Sequence, residues 1–221
     1  MNKRYASLLI ATALVAVIWS TAFLYAPEGS QIEDPMLENA IRIELGISSD
    51  TSLTKDQLES IQELDASDMN VQTLEGVDLL TNLTVLNVRE NQITDLSPLS
   101  DLDQLQILDV RENQVESLEP ISGLTNLIDL NVRENHLTDI SPISNLTNLR
   151  DLNLRENDIY DIAVLSELHL LRDLNIRYNH IESVEPLADL ENLTQRLYLE
   201  GNPVTDLEQI GYYQFILEKD F

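Results

Sequence analysis

Apolar residues recur along most of this chain with a long, strict period. Leu80, Leu102, Leu124, Leu146, Leu168 and Leu190 stand 22 residues apart, and each opens the pattern LxxLxxLxLxxNx(I/V/L), followed by a turn and a second apolar pair. The first unit reads LTNLTVLNVRENQITDLSPLSD and the third LTNLIDLNVRENHLTDISPISN. The sixth carries one extra residue in the segment Leu193-Thr194-Gln195-Arg196-Leu197. A degenerate unit from Leu58 to Leu79 keeps Leu58, Ile61, Leu64, Ala66, Val71 and Leu74, with Met69 where the asparagine belongs. In each LxL pair, such as Leu86 and Val88, alternate side chains point inward from a short strand. A unit of this length cannot bury its apolar face alone and must stack on its neighbours.

The pattern predicts an α/β leucine-rich-repeat solenoid with a concave parallel sheet over residues 58–209. A helical N-terminal cap is expected over 34–57 and an aromatic C-terminal cap over 210–221. Asp34-Pro35 starts a helix whose Leu37, Ile41 and Leu45 share one face, and Gly46 ends it. Thr54-Lys55-Asp56-Gln57 is a capping box. Ile210, Tyr212, Tyr213, Phe215, Ile216 and Leu217 are expected to cover the last repeat. Asn91, Asn113, Asn135, Asn157, Asn179 and Asn202 form a structural ladder: a carboxamide supplies both donors and an acceptor where each strand turns. Pro98, Pro120, Pro142 and Pro186 open the convex segments, where a first-turn proline loses no hydrogen bond.

Two features before the repeats bear on location. Lys3 and Arg4 precede an uncharged, mostly apolar run from Tyr5 to Ala26. About 20 such residues span a hydrocarbon layer, and the basic flank keeps the N-terminus inside. Residues 1–26 are therefore a transmembrane anchor or a cleaved signal peptide. The anchor is preferred for its length and for Trp19, Phe23 and Tyr25 near its outer end; Ser20-Thr21-Ala22 is the candidate cleavage site. Residues 27–33 form a polar linker. Either arrangement places the body outside the cytoplasm, membrane-tethered or secreted.

Composition narrows the chemistry. The chain has no cysteine, hence no disulfide, thiolate metal site or thiol nucleophile. Its net charge is -26, and beyond residue 26 there are 11 basic against 39 acidic residues, or -28. Such a body repels nucleic acid. His136 and His180 sit two repeats apart, too far to share an ion, and no nucleophile elbow or phosphate loop occurs. No catalytic residue, cofactor or metal is expected, and the chain is expected to be monomeric. Asp95, Asp139, Asp161 and Asp206 recur after turns but lack a dense calcium loop. The Asn-Leu-Thr triplets at Asn82, Asn145 and Asn192 follow from the repeat itself.

The repeat resembles that of the internalin-type bacterial leucine-rich-repeat proteins. Their NxIxDIxPLSxLTNLxxLxL unit is similar to NHLTDISPISNLTNLRDLNL from Asn135 to Leu154. The likeness covers residues 34–221. It implies a surface-exposed or secreted binder of other proteins that uses its concave face. The few repeats, with neither an immunoglobulin-like segment nor a wall-sorting motif after them, argue against carrying over host-cell invasion.

Strand alternation names the outward positions. They are Val85, Asn87 and Arg89; Ile107, Asp109 and Arg111; then Asp129, Asn131 and Arg133. Asp151, Asn153 and Arg155 follow, then Asp173, Asn175 and Arg177, and finally Arg196, Tyr198 and Glu200. Five arginines thus form a column, either neutralised by Glu90, Glu112, Glu134 and Glu156 beside them or open to a partner's carboxylates. Tyr178 stands in place of the usual Glu, and Tyr198 in place of Asn or Asp. With Arg177 they make the preferred hot spot, the competing expectation being that Tyr198 packs toward the cap. Six strands span roughly 25 Å. A protein, peptide or glycan segment fits such a platform. The rival reading is a structural or assembly component of the cell envelope with no concave-face ligand.

Overall fold

The computed structural model describes residues 31–220; the proposed anchor or signal at 1–26 lies outside the described residues. Helix α1 (Pro35–Leu45) and helix α2 (Lys55–Ser60) lead into eight strands. These are β1 (Glu63–Asp65), β2 (Val85–Asn87), β3 (Ile107–Asp109), β4 (Asp129–Asn131), β5 (Asp151–Asn153), β6 (Asp173–Asn175), β7 (Arg196–Tyr198) and β8 (Glu218–Lys219). All pair in parallel and in sequence order, in one open sheet. The expected six strands are therefore eight. The degenerate unit supplies β1 and the C-terminal segment supplies β8, so the sheet spans about 34 Å at about 4.8 Å per step.

The register follows the leucines. Leu64, Leu86, Leu108, Leu130, Leu152, Leu174 and Leu197 face one another across neighbouring strands and are buried. The extra residue of the sixth unit falls before β7, so Asp173 pairs with Arg196 without disturbing the alternation. Behind the sheet, short 3₁₀ segments such as Ser97–Leu99, Glu119–Ile121 and Glu185–Leu187 carry the recurrent prolines in their first turn. Asp95 and Asp139 accept the amides of Ser97 and Ser141, each at 2.8 Å. Their carboxyls lie below the usual range, Asp95 through the Ser97 side chain and Asp139 through the Ser141 amide. These aspartates serve the turns.

The asparagine ladder is closed at each rung. Asn135 Oδ1 accepts the Val115 amide at 2.9 Å, while its Nδ2 donates to the Val110 and Val132 carbonyls at 3.0 and 3.1 Å. The bonding recurs from Asn91 to Asn202. Met69 leaves a rung empty, yet its own amide reaches Asn91 Oδ1 at 3.2 Å, so the next unit serves the degenerate one.

Asp34 joins the N-terminal cap to the solenoid. Its Oδ1 accepts the Met36 amide at 2.7 Å and the Leu37 amide at 3.3 Å, capping α1. Oδ2 accepts the amides of Gln72 at 2.6 Å and Thr73 at 3.3 Å, in the degenerate repeat. Gly46 ends α1 at φ 63°, and Thr54 and Gln57 form the capping box of α2. Ile32, in the segment read as linker, is buried in the core, so apolar packing begins before α1.

The other end differs from the expectation. Ile210 and Ile216 are buried, but Phe215 and Leu217 are largely exposed. The last repeat is closed by β8 and by Asp220, whose Oδ1 accepts the Leu199 and Glu200 amides at 2.7 and 3.2 Å. Strand pairing and one carboxylate thus join Tyr212, which packs half-buried on the core and donates its hydroxyl to the Leu187 carbonyl at 2.5 Å, in closing this end. Among the described residues no helix is long and apolar enough to cross a membrane.

Candidate binding face

The outward side chains of the sheet form three columns with different electrostatics. The first runs through Glu63, Val85, Ile107, Asp129, Asp151, Asp173, Arg196 and Glu218. Its middle holds three in-register carboxylates, one strand apart. Asp173 is buried and ion-paired with Arg196. Asp129 and Asp151 make no side-chain hydrogen bond or ion pair among the described residues. Partial burial, with Asp151 and Asp109 nearby, pushes the Asp129 carboxyl up to about 6. At Asp173 burial outweighs the Arg196 pairing and raises the carboxyl. Asp109, in the adjacent column, is raised by burial against the opposing pull of Arg111.

The second column is Asp65, Asn87, Asp109, Asn131, Asn153, Asn175 and Tyr198. Asn131, Asn153 and Asn175 each accept, through Oδ1, the amide two residues on, at 3.2–3.3 Å. Their Nδ2 groups donate to no partner among the described residues. Unused carboxylate acceptors and carboxamide donors therefore run side by side. Asp129, Asn131, Asp151, Asn153, Asp173, Asn175, Arg196 and Tyr198 line a cavity of about 210 Å³.

The arginine column is already neutralised. Arg89 lies 3.7 Å from Glu90, and Arg111 lies 3.6 Å from Asp109. Arg133 pairs with Glu134 and Arg155 with Glu156. Glu90, Glu112, Glu134 and Glu156 turn with positive φ of 51–56°; the carboxylates of Glu90, Glu134 and Glu156 lie beside the preceding guanidinium, and that of Glu112 lies 3.8 Å from Arg133 of the next unit. Arg177 pairs with Asp220, lies 3.7 Å from Glu200, and stacks 4.0 Å from the Tyr198 ring centroid. The Tyr198 hydroxyl donates to Glu218 at 2.7 Å, which raises its proton affinity. Tyr178 shares the positive-φ position and lies under Arg155 at 5.2 Å. A Cβ on Gly201 would stand 2.3 Å from the Tyr178 ring, so that glycine admits the aromatic group.

The structure thus gathers Arg177 and Tyr198 around the C-terminal strand and leaves Tyr178 against Arg155 and Gly201. Tyr198 also borders the cavity that Asp129 and Asp151 line, whereas Arg177 and Tyr178 are not part of its lining. Glu218 and Asp220 were missed at the sequence level. Their only signal is their position after Ile216, because a two-residue strand has no periodicity of its own. Among the described residues no group of three or more His, Asp or Glu is arranged to hold a metal ion.

Comparison with known proteins places this geometry in a family. The family model for Leucine Rich repeats (2 copies) matches residues 81–123 and 103–145, and that for a Leucine Rich repeat matches 145–165. A 61-residue segment is 44% identical to Internalin H of Listeria monocytogenes, covering 27% of this chain and 11% of that protein. The crystal structure of an internalin (inlF) from the same species superimposes with TM-score 0.83 at 33% identity, over 90% of this chain and 58% of the other. That of internalin C2, also from Listeria monocytogenes, superimposes with TM-score 0.66 at 30% identity, over 85% of this chain and 92% of the other. The chain belongs to the internalin family. Internalin-like leucine-rich-repeat proteins are in general protein-interaction modules, and the family is typically non-enzymatic. This chain spans 58% of the inlF structure, and its match to Internalin H is confined to a ninth of that protein's length.

Proposed function

We propose that this internalin-type domain is an extracytoplasmic binding module that takes a protein segment along its sheet-lined face. The supporting observation is the pair Asp129 and Asp151. Two adjacent, partly desolvated carboxylates without partners oppose the fold, and like charges in register repel. Asparagine at either position would remove that repulsion. A partner cation would remove the repulsion, while the free Nδ2 groups of Asn131 and Asn153 would donate to its backbone carbonyls. We assign the binding residues to Asp129, Asn131, Asp151, Asn153, Asp173 and Asn175. Arg89, Arg111, Arg133, Arg155, Arg177, Tyr178 and Tyr198 flank them, their charge and ring faces occupied within the chain. The partner segment carries lysine or arginine.

Capture from cell-envelope extract tests the assignment. The Asp129→Asn, Asp151→Asn double variant is expected to retain about a tenth or less of the wild-type yield, since hydrogen bonds to charged groups are each worth about 1.5–3 kcal/mol. Full retention would remove the sheet face from consideration. Residues 1–26 are assigned as the export element that holds the body at the membrane. The intact mass of the membrane-fraction protein checks this assignment, and a mature chain beginning after Ala22 would replace the anchor with a cleaved signal.

A further inference from the structure

A second surface, built from no strand residue, has the makings of a ligand site. Tyr160 is 66% exposed, although the same repeat position holds Thr94, Glu116, Thr138 and Glu182 in other units. Its ring stacks on His180 with centroids 4.7 Å apart and planes inclined by 23°. The pair borders a cavity of about 460 Å³ between the fourth and fifth units, walled by Ile162 and Pro186 and rimmed by Asp161, Glu182 and Glu185. This volume lies within the range of small-ligand sites. Asp158 adds a carboxylate 3.4 Å from His180 Nε2.

The repeat does not require this aromatic group. Ile162 fills its core position, and the neighbouring units fold with threonine or glutamate in place of Tyr160. What the ring adds is an exposed π surface beside carboxylates, in a wall that contains no lysine or arginine. Asp161 is committed to the Ala163 amide at 2.8 Å, whereas Glu182 and Glu185 have no side-chain partner among the described residues. Aromatic faces attract cations, and a planar guanidinium can stack on a ring while donating in-plane to a carboxylate. A neutral sugar would leave the carboxylates uncompensated, and an anionic one would be repelled. We propose that the Tyr160–His180 cavity is a second binding site, distinct from the sheet face, for an arginine side chain of a basic peptide. The guanidinium stacks on Tyr160 and donates to Glu182 and Glu185.

The test titrates the isotopically labelled full chain with an acetyl-Gly-Arg-Gly amide, followed by backbone and side-chain NMR shifts. Shifts concentrated at residues 160–162 and 180–186 are expected. The citrulline peptide, isosteric and uncharged, should bind at least about tenfold more weakly, as loss of a charged hydrogen bond implies. Tyr160→Ala should weaken the arginine peptide by about three- to fivefold, the range of an exposed cation–π contact, while Tyr160→Phe retains it. Glu182→Gln with Glu185→Gln should lower affinity at residues 160–162 and 180–186 further, and Glu119→Gln, on the 3₁₀ segment Glu119–Ile121 behind the sheet, should leave it unchanged. Four outcomes would each overturn the proposal. These are equal binding of the citrulline peptide, shifts confined to the sheet face, indifference to Tyr160→Ala, and binding of a neutral chito-oligosaccharide in place of the arginine peptide. Absence of any shift at millimolar peptide would also overturn it.

Discussion

Asn135 shows how one side chain holds a repeat together: one carbonyl and one amide group bridge backbone groups of its own unit and of the unit before it. Truncation would strand those buried groups at about 1–3 kcal/mol each when unpaired. Asn135→Ala is therefore expected to lose about 2–4 kcal/mol in denaturant unfolding; a loss below 1 kcal/mol would contradict the ladder's role. Asp129 acts in the opposite sense. Because its carboxyl is raised to about 6, the folded chain binds more protons than the unfolded chain between about pH 4 and 6. Stability contributed at this position thus falls as pH rises through that window. Above it, ionised Asp129 costs on the order of 1 kcal/mol once solvent screening is allowed for. Asp129→Asn should melt above wild type at pH 7.5, with the gap closing by pH 4; an equal gap at both values would refute the assignment. The ladder was legible in sequence because asparagine repeats where a turn needs donors and an acceptor together. The isolation of Asp129 and Asp151 was not. It depends on each arginine turning to a glutamate of its own or the neighbouring unit, or to Asp109, away from these two aspartates, a choice made by the positive-φ turn and invisible in spacing.

At the level of elements, the caps depend on single carboxylates as much as on apolar cover. Asp34 serves α1 and the degenerate repeat at once, so Asp34→Ala removes an N-cap and two inter-element hydrogen bonds. A loss of about 2–3 kcal/mol is expected, with faster hydrogen exchange at Gln72 and Thr73. Unchanged exchange at those amides would show that the cap is held by packing alone. Both helix starts were legible, since Asp34-Pro35 and Thr54–Gln57 carry local capping chemistry. Strands β1 and β8 were not read as strands. Each is two or three residues long and becomes a strand only because β2 or β7 offers an unpaired edge. The aromatic C-terminal cover is carried by part of the expected set: Tyr212 packs half-buried on the core beside Ile210 and Ile216, whereas Phe215 and Leu217 face outward, a division that composition does not show.

Across the whole molecule, the repeat separates what builds the scaffold from what is free to bind. Leucines, ladder asparagines and convex prolines are consumed by stacking, and the arginine column by its own carboxylates. Among the described residues, the Asp–Asn trough in the middle of the sheet and the Tyr160–His180 cavity keep unused carboxylates. The strong negative charge of the body favours basic partners at both. The family and the solenoid were legible from the 22-residue period, whereas the active part of the face required the side-chain pairing. The sheet-face assignment is tested most directly by photo-cross-linking in cells that express the full chain, with benzoylphenylalanine placed at Asn153 or, on the convex 3₁₀ segment, at Glu167. A discrete protein adduct is expected at Asn153, lost when Asp129 and Asp151 are both changed to Asn. An adduct at Glu167 and none at Asn153 would contradict binding along the sheet.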